Sequence, residues 1–156
     1  RQTSTHVVQF AEISADEHIH TKTGFPTGSI LYYIQRVRYL DGKALILDIN
    51  MFLKSQVPGL TREIAEGSIY DYIEKELGMQ IITSKRTMTV EHTTQVDEKY
   101  LELKDYNCLA VVTNQTYNAD GIMFEYTQSR HRPDFFRVSW RCFQETATRK
   151  HRQETQ

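Results

Sequence analysis

Tyr32-Tyr33-Ile34-Gln35-Arg36-Val37-Arg38-Tyr39-Leu40-Asp41-Gly42-Lys43-Ala44-Leu45-Ile46-Leu47-Asp48 is a β-rich run broken once, at Asp-Gly. It reads as a β-hairpin over about residues 30–52. Both central residues of the tightest hairpin turn need φ > 0, a conformation Asp tolerates and Gly adopts freely. A second Asp-Gly, Asp120-Gly121, lies between residues 109–117 and 122–132 and reads the same way. Both hairpins carry charge where a strand is usually apolar. A buried charge needs a partner, and a ligand is one way to supply it.

Working outward, residues 7–10 read as a short strand and 14–20 as a short helix capped by Ser14. Gly and Pro mark a turn at 24–28. Thr61 starts a helical turn through Ala65. The clearest helix opens at Ser68, a good N-cap with Asp71 in the capping-box position, and ends at Gly78. Ile69, Ile73 and Leu77 give it a core face. Residues 81–91 read as a strand rich in β-branched residues. Thr94, with Asp97 three positions on, begins a helix through Leu103. A turn at Pro133-Asp134 leads to a last strand at 135–143, and 144–156 form a polar, frayed tail. This order predicts an α+β domain, with flanking helices packed on an antiparallel sheet. In each hairpin an acid stands an even number of positions past the turn glycine (Asp48 after Gly42, Glu125 after Gly121), a slight sign of internal repetition.

The 156 residues are 39% hydrophobic and 25% charged, the composition and length of one globular domain. The formal net charge is −1 with both signs mixed, so no basic face argues for direct nucleic-acid contact. Cys108 and Cys142 lie in apolar, strand-like stretches and read as reduced core thiols. No stretch approaches the ~18 apolar residues of a membrane span, and no secretory signal is visible. The chain begins at Arg1, which reads as a fragment or processed product of a cytoplasmic protein. GxSxG, HExxH, Walker A, GxGxxG and CxxC patterns are absent, and no catalytic residue, cofactor or metal is assigned. His18 and His20 lack a third ligand and read as exposed loop histidines.

Residues two apart on a strand share a face. Arg36 and Arg38 therefore form a fork suited to a phosphate or carboxylate, or else a pair of solvated arginines. Asp48 either marks a solvent edge or accepts hydrogen bonds from hydroxyls. Met123, Glu125, Thr127, Ser129 and His131 share one face, with Phe124, Tyr126, Gln128 and Arg130 on the other. Glu125 and His131 are then candidates to line a pocket, and Arg130 and Arg132 turn away from it. Ser68 and Tyr70 occupy the first turn of the strong helix, where free N–H groups and the dipole suit an anion. Tyr117 adds a hydroxyl and a ring. Asp48 and Glu125 as a catalytic carboxylate pair form the enzymatic alternative.

The order Arg36-Val37-Arg38, Asp41-Gly42, Ser68-Ile69-Tyr70-Asp71-Tyr72-Ile73 and Phe124-Glu125-Tyr126-Thr127-Gln128-Ser129-Arg130-His131-Arg132-Pro133-Asp134 resembles UTRA effector-binding domains. These form the C-terminal half of HutC-subfamily GntR transcriptional regulators. The stretches at 57–64 and 125–134 look most like those of trehalose operon repressors. The resemblance implies a chorismate lyase-like fold over residues 1–143. It also implies a homodimer that senses a sugar-phosphate effector, trehalose 6-phosphate best, and acts on DNA through an N-terminal winged helix-turn-helix outside this chain. Phosphate would fall to Arg36, Arg38 and Ser68, and sugar to Asp48, Tyr70, Tyr117, Glu125 and His131. The family commonly has glutamate at Asp48 and tyrosine at His131, and also uses a loop preceding this chain. A lyase or hydrolase on the same scaffold, and a ligand-free dimerisation module, are the competing readings.

Overall fold

The computed structural model describes residues 2–137. Six strands, β1 (Thr3–Ser14), β2 (Ile30–Leu40), β3 (Lys43–Leu53), β4 (Ile81–His92), β5 (Cys108–Asn118) and β6 (Met123–His131), form one antiparallel sheet in the order β1-β2-β3-β6-β5-β4. Helices α1 (Glu17–Thr23), α2 (Arg62–Glu66), α3 (Ile69–Asp71) and α4 (Gln95–Tyr100) flank it, as the α+β reading predicts. The order reads as two three-stranded meanders set back to back, with β3 against β6. The slight repetition in the sequence thus has a geometric counterpart: Asp48 and Glu125 lie on the two central strands.

The first Asp-Gly turn is as expected. Leu40 pairs with Lys43, and Asp41 and Gly42 both take positive φ, 50° and 78°. The second is not. Gly121 has φ 73°, but Asp120 does not enter that region. A three-residue loop forms instead, in which the Gly121 N–H donates to the Asn118 carbonyl and the Asn118 Oδ1 accepts from the N–H groups of Asp120 and Ile122. The Asn118 side chain closes the turn, so only one left-handed residue is needed.

Alternation along β2 and β3 sorts the core. Tyr32, Ile34 and Phe52 pack under Ala65, Ile69 and Ile73 on one face. Leu31 and Met51, with Phe25, and Val37 and Leu47, with Leu101, pack on the other. The helical segment 62–76 therefore covers one face, and α1 and α4 the other.

Several local expectations are corrected. The Ser68 segment is not one continuous α-helix. A single α turn passes into a π-helical turn at Tyr72–Glu76, where the Leu77 N–H reaches back to the Tyr72 carbonyl at 3.0 Å. Strict four-residue spacing drifts by roughly 40° per step in a 3.6-residue helix, and the wider winding keeps Ile69, Ile73 and Leu77 on the core. Helix α1 is capped by Asp16, whose Oδ1 accepts from the Ile19 N–H at 2.8 Å, while Ser14 ends β1. His18 and His20 lie in α1 rather than in a loop, and the His20 ring is bonded to the Phe25 carbonyl. Helix α4 has the predicted Thr94/Asp97 capping box but stops at Tyr100. Strand β1 is three times the expected length. Phe135 belongs to a 3₁₀ turn (Pro133–Phe135). The rest of the expected last strand from residue 138 on, the tail and Cys142 lie outside the described residues.

Candidate functional site

The face under residues 62–76 is apolar at one end and polar along the rest. On β2, Ile34 gives way to Arg36 and Arg38. On β3, Phe52 gives way to Asn50 and Asp48. Strand β6 brings Glu125 opposite Phe52, Thr127 opposite Asn50 and Ser129 opposite Asp48. Register, rather than proximity in sequence, assembles this cluster.

At one end Asp48 sits buried beneath the two arginines. Its Oδ2 lies 2.9 Å from Arg38 Nε, an ion pair in which the N–H is not well aimed, and 3.9 Å from Arg36 Nη2. Its Oδ1 accepts from the Ser129 hydroxyl at 2.7 Å and from Arg38 Nη2 at 3.3 Å. Two guanidiniums share one carboxylate, so the fork keeps one net positive charge. Arg36 also donates from Nε to Asn50 Oδ1 (3.1 Å) and from Nη1 to the Ala65 carbonyl (3.5 Å). Burial lowers the Arg36 pKa, with Asp48 opposing.

At the other end Glu125 is fully buried. Its Oε1 accepts from Tyr70 Oη at 2.6 Å, Thr127 Oγ1 at 3.0 Å and Thr116 Oγ1 at 3.4 Å. Its Oε2 is buried and meets no partner among the described residues. Burial pushes the Glu125 carboxyl above the ordinary carboxylate range, against the pull of these hydrogen bonds. Burial and the neighbouring Glu125 likewise push the Tyr70 hydroxyl up, so it stays a donor.

The structure brings Arg36, Arg38, Asp48, Tyr70 and Glu125 to one face. Among the described residues no contact ties Ser68 to that set. Its Oγ caps α3 by accepting from the Asp71 N–H, and the Ala65 carbonyl three residues earlier touches Arg36. The Ser68 hydroxyl keeps its own proton to donate.

Two expected sugar contacts move. His131 is paired with Ile46 and Ala110 at the fork end. It stands six residues, about 20 Å of strand, from Glu125. Burial and the Arg38 charge lower its pKa. Tyr117 leaves the cluster altogether. It lines a separate cavity of about 600 Å³ with Gly24, Gln115 and Met123. Alternation along β5 accounts for this: Thr116 faces Glu125, so Tyr117 points to the other face with Gln115. A bulge lies opposite in β6, where Thr116 pairs with Glu125 but Tyr117 with Met123, which leaves Phe124 as an extra residue. Simple alternation therefore fails here. Phe124 joins the core on Glu125's side, and Met123 joins the opposite one. Beyond the bulge alternation holds, and Arg130 and Arg132 do turn away. Arg130 pairs with Asp97, and Arg132 with Asp134.

Asn50 and Thr116 were missed as site residues. Asn50 stands two positions after Asp48, so the same alternation that pairs Arg36 with Arg38 would have found it. Thr116 needed the β5–β6 register.

The chain belongs to the UTRA domain family, which matches residues 1–137. It is similar to the HTH-type transcriptional regulator TreR of Bacillus subtilis (strain 168), 37% identical over 137 residues that make up 88% of this chain and 58% of the relative. Among solved structures it resembles the effector binding domain of the B. subtilis trehalose repressor, with 35% identity and a TM-score of 0.84 over 91% of this chain and 99% of that one. A GntR-family transcriptional regulator from Bacillus cereus aligns at 26% identity and a TM-score of 0.82, covering 92% of this chain and 100% of that one. The chain spans little more than half the length of the curated relatives it matches.

Proposed function

We propose that this chain is the effector-sensing part of a GntR-type, HutC-subfamily transcriptional repressor. It binds a phosphorylated sugar, trehalose 6-phosphate first among candidates, acts as a cytoplasmic homodimer, and passes the signal to a winged helix-turn-helix outside this chain. The observation that carries the reading is the shared polar face. A fork with one net positive charge lies at one end and a buried carboxyl with a free oxygen at the other. Arg36, Arg38 and Ser68 take the phosphate, with Asp48 as the counter-charge that orients the arginines. Tyr70 and Glu125 take sugar hydroxyls, and His131 borders the fork. Asp48 and Glu125 stand four residues apart on paired strands, about 13 Å, more than one sugar ring spans. A disaccharide phosphate suits that length. The similarity to the trehalose repressor points to the same ligand.

The enzymatic alternative, with Asp48 and Glu125 as a catalytic carboxylate pair, is separated from this reading by turnover. Calorimetric titration with trehalose 6-phosphate, trehalose and N-acetylglucosamine 6-phosphate tests the reading. Stoichiometric binding of trehalose 6-phosphate, with free trehalose much weaker and neither compound turned over, is expected. No binding of any of the three, also by a chain carrying the segment that precedes this domain in the family, overturns it.

A further inference from the structure

Asn50 is buried between the two ends of this face and belongs to neither. Its polarity is fixed by chemistry. Arg36 Nε can only donate, so the oxygen 3.1 Å away must be Asn50 Oδ1. The amide nitrogen then faces Thr127 and donates to its Oγ1 at 3.0 Å. With that lone pair occupied, the Thr127 hydroxyl proton is directed to Glu125 Oε1, also at 3.0 Å. Tyr70 and Thr116 donate to the same oxygen. Glu125 Oε1 is thereby saturated with donors, and Oε2 is the atom left to address a ligand. A single one-way chain, Arg36 to Asn50 to Thr127 to Glu125, crosses three strands and links the cationic end of the face to the acidic end.

We propose that Asn50 is a positioning residue of the effector site, which aims the Arg36 guanidinium and, through Thr127, sets which Glu125 oxygen meets the ligand. The inference rests on the effector reading above. It predicts that the two ends are coupled: occupancy of the fork by an anion and engagement of Glu125 are not independent. The titratable and charged groups that face Glu125 are Tyr70 from α3 and Arg36 from β2. Strand β3 brings Phe52 and Asn50, and β5 brings Thr116.

Three variants separate the links. Asn50→Leu removes the acceptor for Arg36. Thr127→Val keeps the shape and removes the donor to Glu125. Asn50→Asp keeps the acceptor for Arg36 but draws the Thr127 hydroxyl to itself. Calorimetry with trehalose 6-phosphate and with inorganic phosphate, and a ¹³C NMR titration of the Glu125 carboxyl, read the result. Asn50→Leu is expected to weaken both ligands about tenfold. Thr127→Val is expected to weaken the sugar phosphate at least fivefold, leave inorganic phosphate within twofold, and raise the Glu125 midpoint. Asn50→Asp raises that midpoint as well, with its added negative charge contributing, so Thr127→Val, which changes no charge, is the variant whose shift loss of packing alone does not produce. The proposal is overturned if the Glu125 midpoint is unmoved in Thr127→Val. It is equally overturned if Asn50→Leu folds and binds both ligands within twofold of the parent. Should Asn50→Leu fail to fold, Thr127→Val decides. If the parent binds no sugar phosphate, the effector reading fails, and the NMR titration still judges the chain by itself.

Discussion

Replacing Asp97 with Ala should destabilise the domain severely without touching the effector face. Asp97 is fully buried on the side of the sheet away from the arginine fork. It holds Arg130 through two parallel bonds of 2.9 Å, to Nε and Nη2. Its Oδ2 also accepts from the N–H (2.8 Å) and hydroxyl (3.0 Å) of Thr94, which closes the capping box of α4. Leaving a buried guanidinium unpaired costs about 3–5 kcal/mol, and losing the Asp97 half of the capping box adds at most about 1 kcal/mol, since Thr94 still accepts from the backbone N–H of residue 97. Arg130 keeps the Gln128 side chain (3.1 Å), the His92 carbonyl (3.3 Å) and the half-exposed Glu91 (3.5 Å), which favours the lower end of the sum. About 4 kcal/mol is then a large part of a typical total of roughly 5–15 kcal/mol. It corresponds to a fall in Tm of about 8–16 °C at this size. Urea unfolding followed by circular dichroism measures it. A buried ion pair is itself a weak stabiliser, so Asp97→Leu with Arg130→Met should recover much of the loss. A cost below about 1 kcal/mol for Asp97→Ala, or a double variant less stable than the single, would refute the reasoning.

Glu125 makes stability depend on pH. Burial raises its folded-state pKa above the unfolded value, so the folded chain holds this proton more tightly. Its contribution is therefore greatest at low pH and is lost as pH rises through the raised value. Urea midpoints of Glu125→Gln should lack that decline, and an identical decline in both proteins would contradict the assignment. Gly59→Ala should cost more than Gly42→Ala. Both glycines have positive φ, about 1–2 kcal/mol for any L residue. At Gly59, however, a Cβ would stand 2.8 Å from Tyr72 Oη, which donates to the Pro58 carbonyl, whereas Gly42 faces open space. Equal or reversed losses on urea unfolding would exclude the steric account. Arg36→Ala should weaken trehalose 6-phosphate by about 1.5–3 kcal/mol, seen as roughly 10–150-fold in Kd; an unchanged Kd removes Arg36 from the site. Tyr117→Phe should leave that Kd unchanged, and a tenfold loss would return Tyr117 to the binding face.

Much of this was legible in one dimension, because the governing rules are local. Period-two alternation put Arg36 beside Arg38 and turned Arg130 away from Glu125. Asp-Gly between β-rich runs marked both hairpins, and Thr94 with Asp97 marked a capped helix. What failed depended on partners distant in sequence. The bulge at Phe124 is set by pairing with β5, and it moved Met123 to the other face. Tyr117 is there because the β5–β6 register puts its neighbour Thr116 opposite Glu125. The π-helical turn follows from packing Ile73 and Leu77 against β2 and β3.

The sequence by itself determined most of the elements, the antiparallel sheet, and, away from the bulge, which side chains on each strand could act together, since alternation and turn chemistry are properties of neighbouring residues. Only the tertiary structure decided that β3 lies against β6. That single pairing set Asp48 beside Ser129 and Asn50 beside Thr127, and it turned separate charged hairpins into one continuous polar face. Register between strands about eighty residues apart is fixed by the packing of the whole sheet, and no local pattern encodes it.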